Sequence, residues 1–250
     1  MNTPKRQCSR REFAKTSLAV GSAVSLGAIS NALADGEVER RIKVGIIGCG
    51  SVSNSYLPVL SASPHVELVS TCDIRPERAR AQAGRFKVPH HYRHINEMLA
   101  GEHFDFLINL TDMQEHERLN RRGLEAGKHV WSEKPIANSL AVGQSLLRTA
   151  RQSGLRLWGA PITVQSPQFA FMTTQLAAGK LGRIAAAHAH YGHEGPTWSA
   201  FFYEKLGGSM PDLAVYNLTS LTGLLGPAKH VSAMLSVVTP ERTVGDKGKV

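Results

Sequence analysis

The chain has 250 residues, 42% of them hydrophobic, enough to bury one large domain or two modest ones. Residues 1–34, with five Lys/Arg and one Glu, carry +4 of its formal charge of +9; in the rest 24 basic residues face 19 acidic ones. No basic run is interleaved with aromatics, which argues against nucleic acid as a partner, and no later stretch offers the roughly 20 apolar residues of a stable membrane anchor.

In chain order, Ser9-Arg10-Arg11-Glu12-Phe13-Ala14-Lys15 pairs two arginines ahead of a Phe and a Lys. A mild apolar run with no acid follows at residues 17–29, and Ala32-Leu33-Ala34 fits a small-residue cleavage site. The pattern predicts a twin-arginine signal over 1–34, with the export machinery as partner and a periplasmic or extracytoplasmic destination. An uncleaved anchor or a disordered tail is the alternative. Residues 35–159 then read as a dinucleotide-binding domain and residues 160–250 as part of a C-terminal substrate and oligomerisation domain.

Ile42-Lys43-Val44-Gly45-Ile46-Ile47 is a short β-branched run of the kind found in buried parallel strands. It runs into Gly48-Cys49-Gly50-Ser51-Val52-Ser53, one residue from the dinucleotide fingerprint G-x-G-x-x-G/A. Gly48 permits the tight turn, Gly50 leaves the backbone bare for a pyrophosphate, and Ser53 takes the third small position. A helix over residues 54–63, bent or ended early by Pro58, would point its N-terminal amides at the phosphates. A second strand over residues 66–72 closes on Asp73, 23 residues after Gly50, where a carboxylate accepts from an adenosine ribose. This acid favours NAD, whereas Arg75 and Arg78 just beyond would suit the 2′-phosphate of NADP. Cys49 and Cys72 fall on neighbouring strand ends, as small buried thiols or, in an oxidising compartment, a disulfide. Cys8 leaves with the signal.

A helix over residues 76–86 starts on Pro76. His90, His91 and His94 fall in a predicted solvated loop; no carboxylate or Cys nearby completes a metal site. After a short helix at 95–100, residues 104–110 form a strand ending at Thr111-Asp112. A helix at 117–126 stops at Gly127. Residues 129–132 form a strand ending in Glu133-Lys134-Pro135, and a helix at 139–153 and a strand at 155–159 follow. The alternation predicts a doubly wound parallel sheet with ligands at the strands' carboxyl ends, where Gly50, Asp73, Thr111 and Lys134 sit. Past Pro161 the expected order is a helix at 168–178, an alternating strand at 183–191, an aromatic loop at 198–203, a helix from Gly207 to about Leu225 and a strand at 231–239. Ser209 and Asp212 are placed as a capping pair.

Lys134 can bind a substrate oxygen or lower a neighbour's pKa, unless it is a surface ion pair with Glu133. Asp212 and Tyr216 are four residues apart on one predicted helix and share a face. An ammonium such as Lys134 would stabilise the Tyr216 phenolate and let it take a hydroxyl proton, with Asp212 orienting the substrate. A packed aromatic and a helix cap are the structural alternative. His188, His190 and His193 suit a pocket wall better than a metal site. Trp198 and Tyr203 suit sugar stacking or core packing.

Residues 45–51 (GIIGCGS), 72–78 (CDIRPER), 125–135 (EAGKHVWSEKP) and 207–216 (GGSMPDLAVY) together resemble the glucose–fructose oxidoreductase/inositol dehydrogenase (Gfo/Idh/MocA) family. The resemblance implies a Rossmann domain plus an open-faced mixed-sheet domain, in a homo-oligomer, with the sheet truncated in so short a chain. It implies Lys134 at the nicotinamide and substrate, Asp212 as the orienting acid, and Tyr216 where many members carry a catalytic His. Gly48, Cys49, Gly50, Ser51, Val52, Asp73, Arg75, Arg78, Thr111, His116, Glu133 and Lys134 would contact the cofactor. The function implied is an exported NAD(P)-dependent oxidoreductase acting on a sugar or polyol. An exported enzyme finds no free NAD(P) pool, so the cofactor would be loaded before export and held tightly. An NAD-dependent glycosidase using transient oxidation, or a cofactor-binding sensor, is the alternative.

Overall fold

The structure is a computed structural model and describes residues 40–245 and 248–250. The predicted export signal lies outside the described residues. Among them, six strands form one parallel sheet: β1 Ile42–Ile47, β2 Val66–Cys72, β3 His90–Tyr92, β4 Phe106–Asn109, β5 His129–Ser132 and β6 Leu157–Gly159. Their order is β3-β2-β1-β4-β5-β6, with every neighbouring pair parallel. Helices α1 Ser53–Ala62, α2 Pro76–Phe86, α3 Ile95–Ala100, α4 His116–Glu125 and α5 Leu140–Gln152 make the crossovers. The α/β doubly wound class expected from the alternation is the one observed. The chain leaves β1 towards β2 on one side and β4 lies on the other, so the crevice opens above the carboxyl end of β1.

The strands read as apolar runs because both faces of the sheet are covered. Val44 and Ile46 join Leu57, Ile108 and Leu110 on one face. Ile47 packs with Val69, Leu107, Leu119, Leu124 and Val130 on the other. Gly45 leaves room for Met98 and Phe104, whose side chains a Cβ there would crowd. Ser139 caps α5 by accepting from the Val142 amide at 3.3 Å, as its position before the apolar run suggests.

Several elements differ from expectation. Pro58 lies inside α1 without ending it. His90 and His91 are not in a loop; they pair with Ser70 and Thr71 as the edge strand β3. His94 caps α3, its Nδ1 accepting from the Asn96 amide at 3.2 Å. Beyond α6 Pro167–Ala177, residues 183–191 and 231–239 run exposed, with no sheet partner among the described residues. Alternation marks a face but supplies no neighbouring strand, and pairing is a tertiary event. The described C-terminal sheet is the antiparallel pair β7 Thr243–Val244 and β8 Gly248–Lys249.

The orientation of α1 is testable. Leu57 is fully buried whereas Val59 is 70% exposed. Leu57→Ala should cost about 2–5 kcal/mol in denaturant unfolding, and Val59→Ala less than about 0.5 kcal/mol.

Candidate active site

At the carboxyl end of β1 the chain must turn under β4. Gly48 does so at φ +90°, and a Cβ there would lie 2.5 Å from the Leu110 carbonyl carbon. Only glycine satisfies both the conformation and the approach. Above Gly50 the space is open: a Cβ would meet just Arg78 Nη1, at 3.7 Å. The amides of Gly50, Ser51 and Val52 have no protein acceptor among the described residues, and no side chain caps α1. Bare amides at a helix N-terminus beside an exposed guanidinium make a site for a diphosphate.

Asp73 braces this turn. Its two oxygens accept the Cys49 and Arg75 amides, each at 2.8 Å. The buried Ser53 hydroxyl donates to the Gly50 carbonyl at 2.6 Å and accepts from Gln82 Nε2 at 3.2 Å. The polar third position thus pins α2 to the turn. Cys49 and Cys72 are free, buried thiols rather than a disulfide. Burial first, then Asp73 for Cys49 and Cys49 for Cys72, pushes both up to about 12, so they stay protonated.

The floor of the crevice is a polar network. Asn109, at the end of β4, accepts from the Thr111 hydroxyl at 2.7 Å and donates to Asn120 at 2.9 Å. Asn120 donates to the Ile136 carbonyl at 3.0 Å. His116 is buried, at 1% exposed, between the loops that follow β4 and β5. Its Nδ1 lies 2.7 Å from the Pro135 carbonyl and its Nε2 2.8 Å from the Thr111 carbonyl. A cation would satisfy both carbonyls, yet burial outweighs them and lowers the ring's pKa, so the neutral ring donates to one.

Glu133 and Lys134 follow β5. Lys134 does not pair with the Glu133 carboxylate. Its Nζ donates to Asp212 Oδ1 at 2.5 Å and to the Asp212 carbonyl at 2.8 Å. Both side chains are largely enclosed, at 11% and 14% exposed. Asp212 lies in a π-turn, Met210–Ala214, that leads into α7 Val215–Leu225. The Asp212 amide donates to the Gly208 carbonyl at 3.1 Å, and its own carbonyl faces the ammonium. Ser209 makes no side-chain cap, so the expected capping pair does not form. Lys134 Nζ also sits 5.1 Å from the Tyr216 ring centroid, and Tyr191 packs edge-on against that ring at 5.3 Å.

The Tyr216 phenol is nevertheless raised above its ordinary pKa. Burial outweighs the lowering by Lys134, and Glu133, Tyr191 and Asp212 add to the rise. Burial thus works against the activated phenolate expected from the sequence, and the pull of Lys134 does not overcome it. Trp198 packs against Phe201 in the aromatic loop, the rings tilted by 43° with centroids 5.9 Å apart. Gln114 Nε2 ties that loop to the crevice through the Phe201 carbonyl at 2.8 Å. Gln114, Asn109 and Asn120 carried no motif by which sequence reasoning would have found them; lone amides reveal their role only through partners.

The fold and this crevice define a dinucleotide-binding α/β protein with a lysine–aspartate centre. The oxidoreductase family with an NAD-binding Rossmann fold, Gfo/Idh/MocA, matches residues 42–160, and the GFO/IDH/MocA C-terminal domain matches residues 169–250. The chain belongs to the Gfo/Idh/MocA oxidoreductase family. It is 29% identical over 207 residues to a dTDP-3,4-didehydro-2,6-dideoxy-alpha-D-glucose 3-reductase of Streptomyces violaceoruber, covering 78% of this chain and 58% of that protein. It is 26% identical to scyllo-inositol 2-dehydrogenase (NADP(+)) of Bacillus subtilis, covering 77% of this chain and 61% of that protein. The chain therefore spans about 60% of the length of these relatives. Among solved structures, a mutant of a 3-ketoreductase from Actinomadura kijaniata, in complex with TDP-benzene and NADP, superposes with a TM-score of 0.63 at 25% identity, over 75% of this chain and 57% of that one. The WlbA dehydrogenase of Bordetella pertussis, in complex with NADH and UDP-GlcNAcA, shares the fold with a TM-score of 0.64 at 23% identity, over 75% of this chain and 59% of that one.

Two outcomes follow from the geometry. Gly48→Ala should lose about 2 kcal/mol or more in denaturant unfolding, because strain and a backbone clash act together. His116, its folded pKa lowered, binds its proton more readily when unfolded, so its contribution is present above roughly pH 6.5 and lost as the pH falls below it. The drop in stability between about pH 7.5 and 5.5 should be shallower in His116→Asn, read from denaturation midpoints.

Proposed function

We propose that the protein is an exported NAD(P)-dependent oxidoreductase that transfers a hydride between a tightly held nicotinamide cofactor and a hydroxyl or carbonyl carbon of a sugar or polyol. One observation carries the reading. The Lys134 ammonium, chelated by Asp212 and overlying Tyr216, stands at the same sheet end as the open glycine turn. The names of the relatives support the substrate class. The export assignment rests on the twin-arginine pattern of residues 9–34.

The amides of residues 50–52, with Arg78, would hold the diphosphate, and Asp73 with Arg75 would lie towards the adenosine ribose. When bound, the cofactor supplies or accepts the hydride. The chain's own groups handle the proton and orient the substrate. A raised phenol stays protonated at neutral pH, which suits Tyr216 to donating a proton to a carbonyl oxygen as it is reduced. Lys134 stabilises charge on that oxygen, and Asp212 holds Lys134 in place while accepting from a neighbouring hydroxyl. Tyr191 and Trp198 offer faces for a sugar ring.

Mass spectrometry of the purified protein should detect NAD(H) or NADP(H), and recovery of neither would remove the tight-binding part of the proposal. In a screen of inositols, aldoses and nucleotide-linked ketosugars, Tyr216→Phe should lower kcat by about 10²–10⁴-fold with the cofactor retained. Carbonyl reduction should hold steady across neutral pH and decline only as the phenol ionises above its ordinary value near 10. An unchanged Tyr216→Phe enzyme would make Tyr216 a packing residue.

A further inference from the structure

Tyr56 belongs to none of the motifs that mark the dinucleotide turn or the lysine centre. It lies in the first turn of α1, whose start is the glycine turn itself. Its hydroxyl donates to Glu133 Oε1 at 2.5 Å and accepts from the Trp131 indole N–H at 3.3 Å. The other oxygen, Glu133 Oε2, accepts from the Lys134 amide at 3.1 Å. An unbroken path of hydrogen bonds thus runs from the phosphate-facing helix to the backbone of the residue that bears the ammonium. Burial, followed by the bond to Glu133, drives the phenol well above its ordinary pKa, so it remains a donor at any working pH. The carboxylate it fixes also acts on the centre directly, because Glu133 raises the Tyr216 phenol against the pull of Lys134. The ring has a separate, apolar task, packing beside Val44, Ile46 and Leu57. A phenylalanine would keep that packing and lose only the hydroxyl.

We propose that Tyr56 is a positioning residue: by fixing the Glu133 carboxylate it holds the Lys134 backbone, and so keeps the ammonium seated on Asp212. The proposal rests on the role given to Lys134 above and extends it to a residue on the opposite wall of the crevice. Without the phenol, Glu133 loses its charge-assisted donor and turns to solvent. The Lys134 amide then loses its acceptor, and the ammonium leaves Asp212 more often.

Amine labelling tests this without a substrate. The protein is treated with acetic anhydride, and Lys134 labelling is followed by peptide mass spectrometry against exposed Lys180 as internal standard. Tyr56→Phe should raise relative labelling of Lys134 about tenfold, the equivalent of one charge-assisted hydrogen bond. Glu133→Ala should do the same, and the double variant should exceed neither. Glu133→Gln, whose one carbonyl oxygen can accept from the Lys134 amide while its NH2 donates to the Tyr56 oxygen, should restore part of the protection. A residue that merely packs would shift the melting temperature and leave the Lys134:Lys180 ratio unchanged. That unchanged ratio, or additive effects in the double variant, overturns the proposal. Should Tyr56→Phe fail to fold, Glu133→Ala reads the coupling from the other end. Titration with NADH and NADPH, followed by nicotinamide fluorescence, separates the two readings. A wild-type protein that neither carries nor binds either cofactor sinks the dinucleotide assignment, while the labelling ratio still decides the role of Tyr56.

Discussion

The Lys134 ammonium, held between the carboxylate and the carbonyl of Asp212, joins the two parts of the chain. Lys134 comes from the end of β5 in the parallel sheet, and Asp212 from a π-turn 78 residues later. Both are nearly withdrawn from water, so each depends on the other: an enclosed charge that loses its partner costs about 3–5 kcal/mol. This mutual need locates the C-terminal helix α7, and with it Tyr216, over the carboxyl edge of the sheet. This side of the crevice is closed by that pairing, because a lysine buried alone would be costly.

Desolvation then decides the protonation of what surrounds that pair. A positive charge 5.1 Å from the centre of the Tyr216 ring would by itself favour the phenolate. It fails to do so because partial burial of the phenol outweighs it, with Glu133, Tyr191 and Asp212 adding to the rise. The same contest, with the same winner, keeps His116 neutral between two carbonyls and keeps both cysteines as thiols. Tyr216, His116 and the two cysteines thus rest in their neutral forms beside a fixed ammonium–carboxylate pair.

The cofactor end of the crevice follows a different logic, that of backbone shape. Gly48 turns where no side chain fits, Asp73 holds the turn from below through the Cys49 amide, and Ser53 bonds it to α2. These groups satisfy one another internally and leave three amides and a guanidinium facing outward. Rigidity below and unmet hydrogen-bonding capacity above are what a diphosphate requires.

The sequence by itself determined the parallel sheet, its glycine turn and the strand-end positions of Asp73, Thr111 and Lys134, because these depend on local periodicity and on residues with unusual backbone freedom. Helical spacing put Asp212 and Tyr216 on one helix, whereas the structure places Asp212 in a π-turn ahead of the helix that carries Tyr216. Tertiary structure alone decided that Lys134 would seek Asp212 and not its neighbour Glu133, that Glu133 would face Tyr56, and that His116 would be enclosed. It decided equally that His90 and His91 would form an edge strand and that residues 183–191 and 231–239 would find no strand beside them among the described residues. Partner choice, pairing and burial depend on groups distant in the chain, and no short-range pattern records the water that folding removes.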